Sequence, residues 1–467
     1  MKKSKPSPSL PLDVVVKIAG FISDSTTFFI FLDALGTTER RGPLESLWHF
    51  SRYMHRIHVW PHMRFSAAWF EDLWKSEYAQ LEAIVQQCDH VEIFCAGDVT
   101  AAHVQWLKSN LRPLVTVKWV GLVSCSTDGV YVEYQEKEWT QFGMDRMSVF
   151  STHVANFLQA VAPFATSLVE LTLAIDQEDD NLVALFDFVA GALKLTSWCL
   201  HYRRSLICPE AGKDKEDDLL LTIDHLSSLA RWFQRQPVTH FELSNFDVVQ
   251  DTSLALRKQA ADIFRTIFSC STLDTLAFDC CTLPQLFDLT DCTLHMRHLS
   301  LSVTRVSESC LEQLIALLPQ SNVETLNCRA KFHYAKLVTL VAFFEALVLS
   351  RVKTLNISNC KFHHDKWTVL APLLGQTRLE TLDLRMYEFG VDAAVALASL
   401  AFQHHPFLHT IHMDVEDFDA FKTIISRLPP GIRKISFGWF RGIENAERLV
   451  KEDGLETVIE LNPFYSR

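Results

Sequence analysis

The stretch Val352-Lys353-Thr354-Leu355-Asn356-Ile357 runs apolar, two variable, apolar, one variable, apolar. The same phrase returns as Leu379-Glu380-Thr381-Leu382-Asp383-Leu384 and as Leu408-His409-Thr410-Ile411-His412-Met413. Further copies start at Leu273, Met296, Val323 and Ile432, and fainter ones at Leu168, Val238 and Leu455. From Leu273 onward the starts lie 23 to 29 residues apart. Alternating apolar and variable residues let a strand bury one face, and a fixed period of this length marks a stacked repeat. Between copies, residues 309–318 and 391–400 carry apolar residues at helical spacing, which predicts one strand and one helix per unit.

The phrase and its period resemble the longer, ribonuclease-inhibitor-like leucine-rich repeats. The resemblance implies an α/β solenoid with a curved parallel sheet and helices on its convex side. Long concave faces of this kind usually bind rather than catalyse. Ten residues after the starts stand apolar Val248, Leu283, Val306, Phe362, Phe389 and Phe418. Two residues before these, the family pattern asks for Asn or Cys. Cys281 and Cys360 fit, whereas Thr304, Lys331 and Tyr387 depart. The repeats are clear over 238–467 and degenerate over 56–240. In the degenerate part, residues 88–93 and 114–119 read as worn copies, with a helical pattern around 104–111 between them. Residues 124–141 read as an extended insertion and 208–218 as a charged loop.

The N-terminal residues 1–9 are rich in Lys, Ser and Pro and predict a disordered tail. Order is expected from Leu10-Pro11-Leu12-Asp13, with Pro11 suited to a first helical turn. Val14, Val15, Ile18, Phe21 and Ile22 share one helical face. Asp24-Ser25 breaks that helix and can cap the next, which runs through Phe28, Phe29 and Phe31. The Leu-Pro opening, acidic residue, apolar helix and Asp/Ser turn resemble an F-box, within a module over 10–55. The resemblance implies an intracellular substrate-recognition subunit of a Skp1–cullin–F-box type ubiquitin ligase. Leu10, Pro11, Val14, Val15, Ile18, Phe28 and Phe29 would contact the Skp1-like adaptor, and the array would hold an unknown protein target. The stretch Thr37 to Pro43 departs from the family, and the nearest Trp is Trp48. A second reading stands beside it: a non-enzymatic leucine-rich scaffold whose N-terminal helices only cap the solenoid.

A net charge of -12 argues against nucleic acid, whose binding needs a basic footprint. The densest apolar run, 337–349, is too short for a membrane span. Twelve cysteines lack zinc-finger or C-x-x-C spacing. Buried free thiols in a reducing compartment, cytoplasm or nucleus, fit this usage. Cys360 with His363 and His364 invites a metal reading, but Lys331-Phe332-His333-Tyr334 holds the same place one repeat earlier. Repeat similarity therefore explains the pattern. No phosphate loop, nucleophile elbow or dinucleotide fingerprint occurs, so neither an enzyme nor a cofactor is expected.

Candidate target-binding residues come from positions that alternate away from the core: Arg329, Asn356, Asp383, Arg385, His412 and Asp414. In neighbouring strands they would form a mixed-charge patch. A solvated face with internal ion pairs accounts for the same residues equally well.

Overall fold

The computed structural model of the chain describes residues 10–52, 55–56, 59–60, 63–66, 90–94, 106, 109–110, 116–123, 144–151, 154–175, 181–202, 219–235, 237–248, 253–284, 286–329, 331–332, 335–360, 364–403, 405–428, 431–438, 440–452 and 454–461. The 1–9 tail, the 124–141 insertion, the 208–218 loop and His363 lie outside these residues. The chain divides into two compact units, Met1–Leu195 and Thr196–Arg467.

The first unit opens with helices α1 (Leu12–Gly20), α2 (Ser25–Leu35), α3 (Thr38–Arg41) and α4 (Glu45–Phe50). Pro11 sits one residue before α1, where its carbonyl accepts from Val14 and Val15. The Asp24 carboxylate accepts from the Thr27 N–H at 2.6 Å and so caps α2. The segment Thr37 to Pro43, foreign to the family pattern, ties the module together. Arg41 is buried there, donating to the Leu32 carbonyl at 2.8 Å and to Glu45 at 2.9 Å. Its guanidinium lies 3.7 Å over the Trp48 ring, and the Trp48 indole N–H donates to Asp33. Gly42 follows at φ +52°, and a Cβ there would meet the Leu12 side chain at 2.7 Å. Only glycine meets both conditions without strain.

Beyond the helices come parallel strands β1 (Met63–Ser66), β2 (His90–Phe94), β3 (Thr116–Val123), β4 (Met144–Ser151) and β5 (Glu170–Ile175), paired in sequence order. Helices α5 (Val154–Val161) and α6 (Leu182–Gly191) complete the unit. The two worn copies at 88–93 and 114–119 thus become neighbouring strands.

The second unit carries β6 (Ser197–Tyr202), β7 (Leu219–Leu221), β8 (His240–Ser244), β9 (Phe246–Val248), β10 (Thr275–Asp279), β11 (His298–Ser302), β12 (Thr325–Asn327), β13 (Thr354–Asn356), β14 (Thr381–Phe389), β15 (Thr410–Val415), β16 (Lys434–Phe437) and β17 (Ile459–Leu461). All but β7 and β9 join one parallel sheet in chain order, and those two pair with each other. Helices α7 (Ile223–Arg235), α8 (Leu254–Phe268), α9 (Glu308–Leu317), α10 (Leu337–Leu349), α11 (Trp367–Leu374), α12 (Val391–Ala396), α13 (Phe418–Ile425) and α14 (Ile443–Glu452) connect the strands. The helical pattern at 391–400 divides into α12 and a π-helical turn, Leu397–Phe402. Among the described residues, no helix is long and apolar enough to cross a membrane.

Register explains the phrase. Its central apolar residue lines up as Trp198, Phe241, Leu276, Leu299, Leu326, Leu355, Leu382, Ile411 and Ile435, all buried. Helices pack on that face, with rings filling the space. Trp232 of α7 stands edge-on to Trp198, and Phe264 and Phe268 of α8 meet Phe278.

Two of the positions that depart from the Asn/Cys pattern, Thr304 and Lys331, do the same work as those that fit. Cys281 donates to the Leu243 carbonyl, and Cys360 to the Cys328 carbonyl. Thr304 donates to the Phe278 carbonyl at 2.7 Å, and Lys331 reaches the Thr304 carbonyl. Each residue satisfies a carbonyl of the preceding repeat, so the site requires a donor rather than a particular residue type. A second polar series sits where helix ends meet strands. The Ser321, Ser350 and Thr377 hydroxyls, all buried, donate to the carbonyls of Leu318, Leu347 and Leu374.

A third regularity lies seven residues after the phrase starts. Asn245, Cys280, Val303, Asn359 and Met386 all adopt φ between 52° and 65°. Asn245, Cys280 and Val303 directly follow the ends of β8, β10 and β11, whereas Met386 lies within β14.

Candidate binding face

The face opposite the helices carries two polar rows in register. One runs Ser197, His240, Thr275, His298, Thr325, Thr354, Thr381, Thr410, Lys434. The other runs Cys199, Glu242, Ala277, Ser300, Asn327, Asn356, Asp383, His412, Ser436, Glu460. Asn356, Asp383 and His412 are therefore brought side by side, as the phrase predicts. Arg329, Arg385 and Asp414 follow two residues further along their own chains.

Most of these groups are engaged by the protein itself. Asn327, Asn356 and Asp383 each accept through a side-chain oxygen from the N–H two residues on, at 3.2, 2.9 and 3.1 Å. These local bonds close the turn after each strand. Asp383 also binds the Arg385 guanidinium through both oxygens, the shortest contact being 2.6 Å. Asp414 bridges neighbouring repeats, accepting from the Met386 N–H at 2.6 Å and the Gly438 N–H at 3.1 Å. Burial raises its carboxyl above the usual range. Gly438 leaves room beside it, since a Cβ there would meet the Asp414 carboxylate and push it from this position. Burial lowers His412. Lys434 and Glu460 pair at 2.8 Å. As target-binding residues Asn356, Asp383, Arg385 and Asp414 are thus already committed to turns and an ion pair. Arg329 differs: its Nε is buried and has no hydrogen-bond partner among the described residues, while its Nη2 touches the Met386 sulfur.

His405 belongs to the same internal economy. Its Nδ1 accepts from the N–H groups of Phe407 and Leu408, and its Nε2 meets the Thr377 hydroxyl at 3.1 Å. Burial pushes its pKa down to about 4. The thiols at core positions are held protonated, Cys281 and Cys328 raised to about 12 and Cys310 to about 11 by burial. Among the described residues Cys199, Cys270, Cys281, Cys292, Cys310 and Cys328 are free thiols.

The start of the polar row looks different. Cys199, His240 and Glu242 point their ligand atoms toward one another, all within 4.8 Å. Hydrogen bonds that the His240 ring donates to Cys199 and then to Glu242 raise its pKa to about 10. The hydrogen bond from His240 holds the Glu242 carboxyl below its usual range. This cluster escapes a search for motifs along the chain, because Cys199 comes from β6 and the other two from β8. Only the register of the faint phrase at Val238 against the strand before it would have joined them.

In the N-terminal helices the proposed adaptor contacts divide by burial. Val15, Phe28 and Phe29 are interior and hold the module together. Phe28 stacks on Trp60 at 3.9 Å and Phe29 meets Phe28 edge-on. They are unable to touch a partner while the module is folded. Val14 is half-buried, and Leu10, Pro11 and Ile18 are exposed. Exposed Leu12, Val16, Phe21 and Ile30 join these last three. The helical face drawn from the sequence is therefore split: its Val15 end faces inward and its Phe21 end faces outward.

No family model matches the chain, and no curated protein matches it. Among solved structures, a chain from the crystal structure of the Rad7 and Elc1 complex in yeast is similar, with a TM-score of 0.39 and 13% identity, over 91% of this chain and 88% of that one.

Proposed function

We propose that this protein is a recognition subunit that performs no chemistry itself. Its N-terminal helices dock a Skp1-like adaptor, and its repeat array holds a protein target for a Skp1–cullin–F-box type ubiquitin ligase. The observation that carries this reading is the exposed apolar set on the first two helices. Leu10 is 52%, Ile30 59% and Phe21 89% exposed. Apolar residues gathered on one small helical module are the usual mark of an interaction site. Arg329 is the first candidate for target contact, because its half-buried side chain reaches only the Met386 sulfur and forms no ion pair among the described residues.

The test is calorimetric titration of the full chain with purified Skp1. Val15→Asp or Phe29→Asp would unfold the module and say nothing about docking. Phe21→Asp and Ile30→Asp are the informative variants, since both side chains already face solvent. Binding of the wild type that falls at least tenfold in these variants, with unchanged melting temperature, is the expected result. No heat of binding with the wild type would overturn the adaptor reading and leave a scaffold capped by its own helices.

A further inference from the structure

The cluster at the start of the polar row has the chemistry of a metal site. Parallel pairing sets Cys199 of β6 directly beside Glu242 of β8, and Ser197 beside His240. His240 and Glu242 are alternate residues of one strand and so project from the same face. Two strands thereby deliver sulfur, nitrogen and oxygen donors to one place, each ligand atom within 4.8 Å of the other two. Thiolate, imidazole and carboxylate together are the donor set of zinc. Calcium and magnesium require oxygen alone. Access is open: Cys199 is buried beneath, whereas the His240 and Glu242 side chains are 33% and 30% exposed. The next residue in register beside Glu242 is Ala277, whose methyl group leaves room on that side. His201 completes the arrangement. Its Nδ1 lies 3.0 Å from the Ser244 hydroxyl and 3.9 Å from Glu242 Oε1, the place of a group that steers a metal-binding carboxylate.

We propose that Cys199, His240 and Glu242 bind one zinc ion, with His201 positioning the carboxylate and the fourth coordination place open to solvent. The site is independent of the adaptor reading, since every residue in it belongs to the second unit.

The test uses the full chain, stripped with a chelator under reducing conditions and titrated with zinc against a chromophoric competitor. Cobalt(II) serves as the spectroscopic probe. The expected result is one high-affinity ion per chain and a thiolate-to-cobalt charge-transfer band. Cys199→Ser removes the band and lowers zinc affinity roughly a hundredfold or more, and His201→Gln lowers it about tenfold. His240→Gln and the isosteric Glu242→Gln carry the test if Cys199→Ser does not fold, which circular dichroism reports. Zinc should also raise the melting temperature of the wild type and leave that of His240→Gln unchanged. Failure of the wild type to compete with the chelator overturns the proposal. So does equal affinity in the wild type, His240→Gln and Glu242→Gln, which would assign the ion to other thiols.

Discussion

The polar row across the second unit's sheet is one line of residues in register, yet its stretches use their side chains in different ways. From Asn327 to Asp383 the oxygens accept from the backbone two residues on and close turns, and Asp414, two residues past His412, bridges neighbouring repeats. At Cys199, His240 and Glu242 the side chains turn toward one another. Charge on an open face is therefore a poor guide to a site. What separates the two stretches is whether each polar atom is already satisfied by the chain that carries it. Where a backbone N–H occupies a carboxylate, a ligand must first displace it. Where three donors converge, a cation gains all three at once.

The apolar side of the same strands sets the scale. Leu355→Ala, beside Asn356 but facing the helices, removes a fully buried side chain. It should destabilise by about 2–5 kcal/mol in chemical denaturation. A smaller loss than that of any polar variant would mean that the polar face, not the core, holds the array together.

His405 tests the committed class through pH. Its folded pKa of about 4 lies below its ordinary 6.5, so the unfolded chain binds more protons between those values. Its contribution is complete above pH 6.5 and is lost as pH falls toward 4. At ~1.4 kcal/mol per unit the loss is about 3 kcal/mol. Stability measured across this window should slope downward in the wild type and less so in His405→Gln. Parallel slopes would remove His405 from the structural class.

Asp414→Ala comes next. It strands the Met386 N–H and weakens the hold on the Gly438 N–H, and hydrogen bonds to charged groups are worth ~1.5–3 kcal/mol. A loss of about 2 kcal/mol by thermal melting, with target binding otherwise intact once a target is known, is expected. Lost binding at full stability would move Asp414 from scaffold to site.

The reading of the sequence succeeded where a residue type repeats and failed where only a conformation does. The L-x-L alternation at 355–357 and 382–384 was legible because burial selects apolar residues at alternate places. The left-handed position seven residues after five of the phrase starts was not. Asn245, Cys280, Val303, Asn359 and Met386 share a backbone angle and no side-chain chemistry. The donor position behaves likewise: Thr304 and Lys331 look like departures from Cys281 and Cys360 until their carbonyl partners are seen. The Phe28 and Phe29 pair was legible as apolar, but whether it faced a partner or Trp60 depended on a contact more than thirty residues away in the chain. The zinc-type cluster needed register across strands, which a degenerate phrase at Val238 conveys only faintly.

Val303 sharpens that lesson. A β-branched residue at φ 53° is strained, because its side chain crowds the backbone there. Two equivalent positions hold Asn, which tolerates the angle. Val303→Asn should therefore stabilise the chain by about 1 kcal/mol, and its half-exposed side chain gives up little burial. A lower melting temperature would show that the Val303 side chain packs usefully despite the angle.

The smallest effect is the most discriminating. Arg385 forms a bidentate pair with Asp383, and although the Asp383 side chain is only 10% exposed, that of Arg385 is 35% exposed, so solvent screening of the guanidinium limits the pair to about 1 kcal/mol. Asp383 keeps its bond to the Arg385 N–H when the guanidinium is removed, so the turn survives in Arg385→Ala. The variant should melt close to the wild type. It thereby frees an Asp383 oxygen beneath the open face while the turn keeps its backbone bond. If binding of a target then changes sharply, the pair is a latch that the target opens, and the committed stretch becomes part of the binding face. If binding is unchanged, the pair is a surface ornament of the turn, and recognition lies with Arg329 or beyond it.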